Sequence, residues 1–388
     1  MSALHTRPRI RRLIERAAQR ALAAVAEPTR AVDPPAHESA PGPPLHQSAP
    51  ATATPTPASA PVSCPPPGPP LRFERELAPA LLAVERASAS ARLYERLSEQ
   101  DVADVTRRIM ESELHSLYED ALARHPGLVP THMILAFGMW LQAPAVLERT
   151  GLPRVLPPED VHAMVRGPYA SAGGLYEADL VIDALLAAGQ DPERVRDALD
   201  FGCSSGRVVR TLAAAYPQTA WRGCDPNAEA IAWAGANLPG IEFFVNGDAP
   251  PLALADASLD LVYAISIWSH FAPELGLAWF EEMRRIIRPG GQLVCTTHGP
   301  TSVSHYVLEQ HRTTDQAREI LDALQDRGCW YAPEFGEEGD WGVVNPSWGT
   351  AFLSPEWMLT KLCPRWRVLE FAPGRNQDNQ DVYVLERV

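Results

Sequence analysis

Three hydrophobic periods divide the 388-residue chain. In "PRIRRLIERAAQRALAAV", residues 8–25, apolar side chains recur at Ile10, Leu13, Ile14, Ala17, Ala21 and Val25, with Arg9, Arg12, Arg16 and Arg20 on the other side. This spacing predicts a basic amphipathic helix over 1–26, suited to docking on an anionic membrane surface or on a partner. Its stripe is mostly alanine and buries little area, so a solvated terminal helix is the plainer reading. Residues 27–70 are dominated by Pro, Ala, Ser and Thr without a period and predict a disordered Pro/Ala-rich linker. Over 71–155 apolar residues return three and four apart, predicting a helical accessory domain. Asp101 is the candidate N-cap of its second helix, and "THMILAFGMWLQAPAVLERTG" reads as a third.

After Pro157 the period changes again. The apolar runs "RDALDFG", "AWRGCD", "IEFFVNGD", "LDLVYAIS" and "GQLVCTTHG" alternate with the amphipathic stretches "GRVVRTLAAAY", "NAEAIAWAGANL" and "ELGLAWFEEMRRII". That alternation predicts an α/β domain over 156–388, with a parallel sheet covered on both faces. "WRVLEFAPG" and "DVYVLERV", joined by "RNQDNQ", predict a hairpin at the sheet edge. Between 300 and 360 an aromatic-rich insert is expected to cap the sheet.

Charge narrows the function. A net charge of −14 disfavours nucleic-acid partners, because phosphate neutralisation supplies most of that affinity. The six cysteines form no C-x-x-C pair, which argues against a zinc site and a disulfide framework and suits a reducing cytoplasm. No apolar run approaches the roughly 20 residues needed to span a bilayer. No signal peptide is evident, since arginines interrupt the N-terminal apolar positions.

The chemistry centres on "LDFGCSSGRVV", where Gly202, Cys203, Ser204, Ser205 and Gly206 spell G-x-S-x-G. A hydrolase's nucleophile elbow has that spelling, but it comes late in its sheet, after an oxyanion-donor segment. Here the motif follows the first strand and no H-G-G-type segment precedes it. A cofactor loop explains more residues: Gly202 and Gly206 admit close approach at a helix N-terminus, and Asp225 ends the next strand about 20 residues on, placed for ribose hydroxyls. Asp200, two residues before the first glycine, would repel a pyrophosphate. It suits a cofactor with a cationic amino-acid end, which points to S-adenosylmethionine (SAM).

At this point the sequence resembles the class I SAM-dependent methyltransferase family over roughly 160–388. The resemblance is carried by "LDFGCSSGR", "GCDPN", "VNGDAPPLALADASLDLVYAIS" and "MRRIIRPGGQLVCTTHG", in that order. It implies a Rossmann-like seven-stranded methyltransferase sheet. It also implies that Asp200, Gly202, Cys203, Ser204 and Gly206 face the methionine end of the cofactor. Asp225 would take the ribose, with Pro226 and Asn227 shaping the adenine slot, Asp248 at the adenine amine and Ser266 beside the sulfonium. For Asp248 and Asn227, turn formation is the competing explanation. Ser204 stands where the family usually has glycine, and it fits there if its φ is negative.

Two histidines at carboxyl ends of strands, His270 in "SIWSHF" and His298 in "TTHG", are the candidate catalytic bases, with backbone-bonded loop histidines as the alternative. Tyr169 is a candidate flap residue, and Trp341 and Trp348 are candidates for an acceptor-pocket wall. More narrowly, "SIWSHF", "AWFEEMRRIIRPGG" and "TTHG" resemble bacterial small-molecule methyltransferases, some of which occur with cell-surface glycan machinery. The expected activity is methylation of a small-molecule or sugar hydroxyl by a cytoplasmic enzyme that needs no metal. A protein methyltransferase and a non-catalytic SAM-binding scaffold are the alternatives.

Overall fold

The computed structural model describes residues 88–116, 118–119, 129–163, 174–309, 311–334 and 348–388. The basic helix expected over 1–26, the linker over 27–70, Tyr169 and Trp341 lie outside the described residues.

Among the described residues the sheet has nine strands. β1 (Asp197–Phe201), β2 (Ala220–Asp225), β3 (Ile241–Val245), β4 (Leu259–Ala264) and β5 (Ile287–His298) are parallel in the order β3-β2-β1-β4-β5. The expected hairpin is present: β8 (Trp366–Asn376) pairs with β9 (Gln380–Arg387), and β9 runs antiparallel along β5. These seven strands are the sheet the resemblance implies. The insert adds two more, β6 (Cys329–Ala332) and β7 (Thr350–Leu353), which join β5 at the single pair His298–Phe352. So the described part of the insert extends the sheet.

Alternation along the strands sorts side chains to two faces. Ala198, Leu261, Tyr263, Val294, Val382 and Val384 face one core; Leu199, Val262, Leu293, Cys295, Tyr383 and Leu385 face the other. The first core also takes in the N-terminal helices α1 (Ala89–Tyr94), α2 (Glu99–Met110), α3 (Val129–Trp140) and α4 (Pro144–Thr150), together with α5 (Gly174–Ala187). The helices before residue 155 thus share a hydrophobic core with the sheet.

Two local expectations are corrected. Ser98, not Asp101, caps α2; Asp101 is the third residue of a capping box and its carboxylate accepts from the Ser98 amide at 2.9 Å. The single helix expected over 131–151 is two, because Pro144 cannot continue α3 and instead opens α4 at its first turn.

Strand order reverses between β1, whose chain continues to β2 and β3, and β4, which leads on to β5. In open α/β sheets ligands bind at the carboxyl ends of the strands beside such a switch point. Asp200 sits there, paired across the sheet with Gly223 on one side and Tyr263 on the other.

Candidate active site

A cavity of about 300 Å³ opens at this switch point, within the range of small-ligand sites. Asp200, Gly202, Cys203, Ser204, Asp225 and Pro226 line it from β1 and β2, joined by Asp248, Ser266 and His270. The structure therefore brings together nine of the twelve candidate cofactor and base residues, with Trp348 of the expected acceptor wall beside them. The other three, Gly206, Asn227 and His298, stand behind the wall.

Asp200 is 4% exposed. Burial pushes its carboxyl up to about 7, against the opposing pulls of Tyr263 and Arg207. Its Oδ2 is buried without a hydrogen-bond partner. Arg207, at the start of α6 (Arg207–Ala215), lines the same cavity and forms an ion pair of 2.7 Å with Glu177 of α5. Burial alone would lower the Arg207 guanidinium, but Glu177 more than offsets it and the charge is held. Sequence reasoning missed this pair, because nothing in a helix register shows which charges a sheet will bring together.

Two features of the loop after β1 bear on its role. First, four of its amides are engaged within the protein. Those of Gly202 and Cys203 donate to the Cys224 carbonyl at 2.9 and 3.0 Å, and that of Gly206 to the Cys203 carbonyl at 2.9 Å. The Ser204 amide donates to Asp225 Oδ2 at 2.8 Å. Close backbone approach survives: Gly202 has φ +84°, and a Cβ there would stand 2.2 Å from Ile267 Cδ1. Second, Ser204 adopts φ +48°, in the left-handed region, rather than the negative value expected of a serine. Its Oγ lies 2.9 Å from Nδ1 of His162, a cavity residue on the segment before α5 that sequence reasoning also missed. A serine beside a histidine resembles a nucleophile pair. With the amides of Gly202, Cys203, Ser204 and Gly206 all engaged, however, the loop offers no oxyanion donors from them.

Asp225 does two jobs. It faces the cavity, and it also ties the loop to the next turn, since its Oδ1 accepts from the Asn227 amide at 2.9 Å. Burial raises its carboxyl, with the Asn227 and Ser204 amides pulling the other way. Asn227 caps α7 (Ala228–Asn237) through the Ala230 amide at 2.9 Å, the turn-forming role weighed against the adenine slot. Ser266 follows β4 at φ +60°, its amide donating to Thr296 Oγ1 at 2.7 Å.

The histidines diverge. His270 lines the cavity and stacks on Trp348 at 4.8 Å and 4°, with Nδ1 2.9 Å from the Gly349 carbonyl. A carbonyl only accepts, so Nδ1 carries the proton and Nε2 the lone pair. Burial lowers this ring to about 4. His298 is 3% exposed and does not line the cavity. The insert covers it, with Tyr306 and Phe352 packed against the ring at 5.2 and 5.1 Å. Its Nδ1 faces the Ala351 carbonyl at 3.2 Å, and its Nε2 meets Tyr306 Oη at 3.3 Å and Gln380 Nε2 at 3.2 Å. His298 ends β5, as its position in the sequence implies, but the insert that follows in the chain covers its ring.

A buried acidic residue at the carboxyl end of each of two neighbouring parallel strands, around a glycine-bearing turn at a switch point, is an arrangement suited to a nucleotide-type cofactor in an α/β sheet. Residues 198–291 match the family described as "Methyltransferase domain". Over that stretch the chain is similar to methyltransferases. It is 31% identical over 103 residues to a malonyl-[acyl-carrier protein] O-methyltransferase of Hahella chejuensis, covering 26% of this chain and 36% of that protein. To the enzyme of the same name from Methylococcus capsulatus it is 30% identical over 128 residues, covering 31% and 45%. The chain thus spans less than half the length of these curated relatives. Among solved structures, a SAM-dependent methyltransferase from Methanosarcina mazei aligns at 21% identity over 51% of this chain and 94% of that one, with a TM-score of 0.38.

The residues present fit SAM. The unpartnered carboxylate oxygen of Asp200 calls for a cation, which the α-ammonium of the methionine end supplies, and Asp225 retains lone pairs for ribose hydroxyls. Because Ser204 already has a glycine-like backbone, Ser204→Gly is expected to change SAM affinity by less than about threefold, since relieving a left-handed residue offsets the lost hydroxyl contact. Isothermal titration checks this; a tenfold loss would mean that the Ser204–His162 contact holds the site together.

Proposed function

We propose that the protein is a SAM-dependent methyltransferase that methylates a hydroxyl group of a small-molecule or glycan acceptor, with His270 as the base. The reading rests on one observation above all: a neutral histidine with its Nδ1 proton committed to Gly349 lines the same cavity as Asp200 and Asp225. When bound, SAM supplies an electrophilic methyl group on its sulfonium. Asp200 and Asp225 hold the two ends of the reactant in place, which is the larger part of catalysis in an in-line displacement. His270 Nε2 takes the acceptor's proton, and Gly349 fixes the ring so that this nitrogen keeps its lone pair. Trp348, against which His270 stacks, is placed to receive an acceptor ring or sugar face. The two curated relatives are O-methyltransferases by name, which supports an oxygen acceptor.

Titration with SAM, followed by methyl release over a panel of sugars, phenols and carboxylates, tests the reading. Binding with turnover on a hydroxyl supports it. Binding without turnover on any acceptor favours the scaffold, and no binding overturns both.

The acid limb of the pH profile gives a separate check. A base must be neutral to act, and His270 titrates at about 4 rather than the usual 6.5. Assayed with SAM saturating, kcat/KM for the acceptor is expected to stay level as pH falls through 6.5 and to drop only near 4. A break at 6.5 would place the working base on another group.

A further inference from the structure

The turn between β8 and β9 brings four amide side chains to the cavity: Asn376, Gln377, Asn379 and Gln380. Gln377 and Asp378, at its tip, have φ +58° and +51°, a conformation that non-glycine residues hold only where the surroundings impose it. No charged side chain of the turn lines the cavity.

A side-chain amide can be turned either way round, presenting an oxygen or an NH₂ group, and here the choice is fixed from behind. His298 Nδ1 faces the Ala351 carbonyl and must carry the ring proton, so Nε2 is an acceptor. The Gln380 atom 3.2 Å from it is therefore the donor, Nε2, which also donates to Ser266 Oγ at 2.8 Å. Gln380 Oε1 points the other way and accepts from Thr296 Oγ1 at 2.7 Å. The Thr296 hydroxyl already receives the Ser266 amide at 2.7 Å, which leaves its proton for Gln380. Asn376 then faces Gln380 Oε1 at 3.0 Å and must present its NH₂. What remains is Asn376 Oδ1. That oxygen is buried without a hydrogen-bond partner, on a cavity-lining residue only 7% exposed.

Resting on the methyl-transfer reading above, we propose that the chain His298–Gln380–Asn376 sets the polarity of the acceptor subsite. It leaves Asn376 Oδ1, on a residue of the cavity wall, as the unpartnered hydrogen-bond acceptor and thereby selects neutral, hydroxyl-bearing substrates over carboxylates. An unpartnered buried oxygen is satisfied by a ligand that donates, and a carboxylate, which only accepts, leaves it unsatisfied. His298 is accordingly a positioning residue that acts through Gln380. Burial lowers its ring to about 3, which keeps it neutral and its Nε2 an acceptor at working pH.

The test has two independent arms. In the first, the full chain is labelled with 15N-histidine and His298 is assigned by His298→Gln. Long-range 15N–1H spectra are expected to report the Nδ1–H tautomer; the Nε2–H tautomer would turn the whole chain round and overturn the inference. In the second, methyl transfer from SAM is followed with methyl glucoside and glucuronate, and with catechol and benzoate. The hydroxyl member of each pair without a carboxylate is expected to win by tenfold or more in kcat/KM. Asn376→Leu should lower that value at least tenfold, chiefly through KM, with the SAM dissociation constant unchanged. Asn376→Gln keeps both an NH₂ for Gln380 Oε1 and an oxygen for the ligand and should lose less than threefold. Equal losses in Leu and Gln variants would reduce Asn376 to a packing residue and overturn the inference. Absence of transfer to any probe by the wild-type protein would count against the proposed function itself, and the tautomer would still decide the polarity of the wall.

Discussion

His270→Gln is expected to reduce kcat by about a hundredfold or more, the usual range for removing a positioned general base. SAM affinity should stay within about threefold, because the change is felt by the proton in flight and not by the bound cofactor. Glutamine retains one hydrogen-bonding contact to the Gly349 carbonyl, which His270 Nδ1 meets at 2.9 Å in the wild type, but has no lone pair basic enough to take a proton. Separate measurement of kcat and of SAM binding distinguishes this outcome from collapse of the cavity. If kcat is unaffected, the acceptor loses its proton to solvent or needs no base, and His270 is a wall residue that stacks on Trp348.

Asp225→Ala is expected to weaken SAM binding by about a hundredfold or more, from the loss of charge-assisted hydrogen bonds to the ribose hydroxyls worth about 1.5–3 kcal/mol each. The carboxylate also holds the amides of Ser204 and Asn227, so the variant loosens the β1 loop as well as emptying the ribose end. The ligand-free protein should lose little stability by comparison. Burial already works against the Asp225 carboxylate, and removing it relieves that cost as the two bonds are lost. Titration calorimetry and the rise in melting temperature produced by SAM check both halves. An unchanged dissociation constant would remove Asp225 from the cofactor site.

Much of the sheet was legible because period-two and helical runs alternate so regularly from Asp197 to His298. The cofactor side of the cavity was legible for a related reason: Asp200 and Asp225 sit at or within one residue of strand ends, and strand ends at a switch point have a known geometry. The acceptor side was not. Asn376 and Gln380 reach the cavity because β9 pairs with β5, a contact between residues some 80 positions apart that no local pattern encodes. In sequence, "RNQDNQ" looks only like a turn. Glu177 and His162 were hidden in the same way, each meeting its partner across the fold. His298 shows the limit from the other direction. Its place at the end of β5 was read correctly, but the insert that shields it comes later in the chain and pairs there through Phe352. The break before Pro144 is signalled by the proline itself, within an apolar run that otherwise reads as one helix.

The antiparallel placement of β9 along β5 bears on how the molecule is made. During synthesis β5 emerges with one edge unpaired, and its partner strand is not complete until residue 387 has left the ribosome. About 80 residues of insert and hairpin are translated in the interval, at roughly 5–20 residues per second. For those seconds the apolar stretch Leu293–Cys295 and the two threonines after it are an open template for wrong pairing. Nascent chains halted between residues 300 and 380 should therefore bind chaperones most strongly, and the half of the cavity that chooses the acceptor is the last to be built.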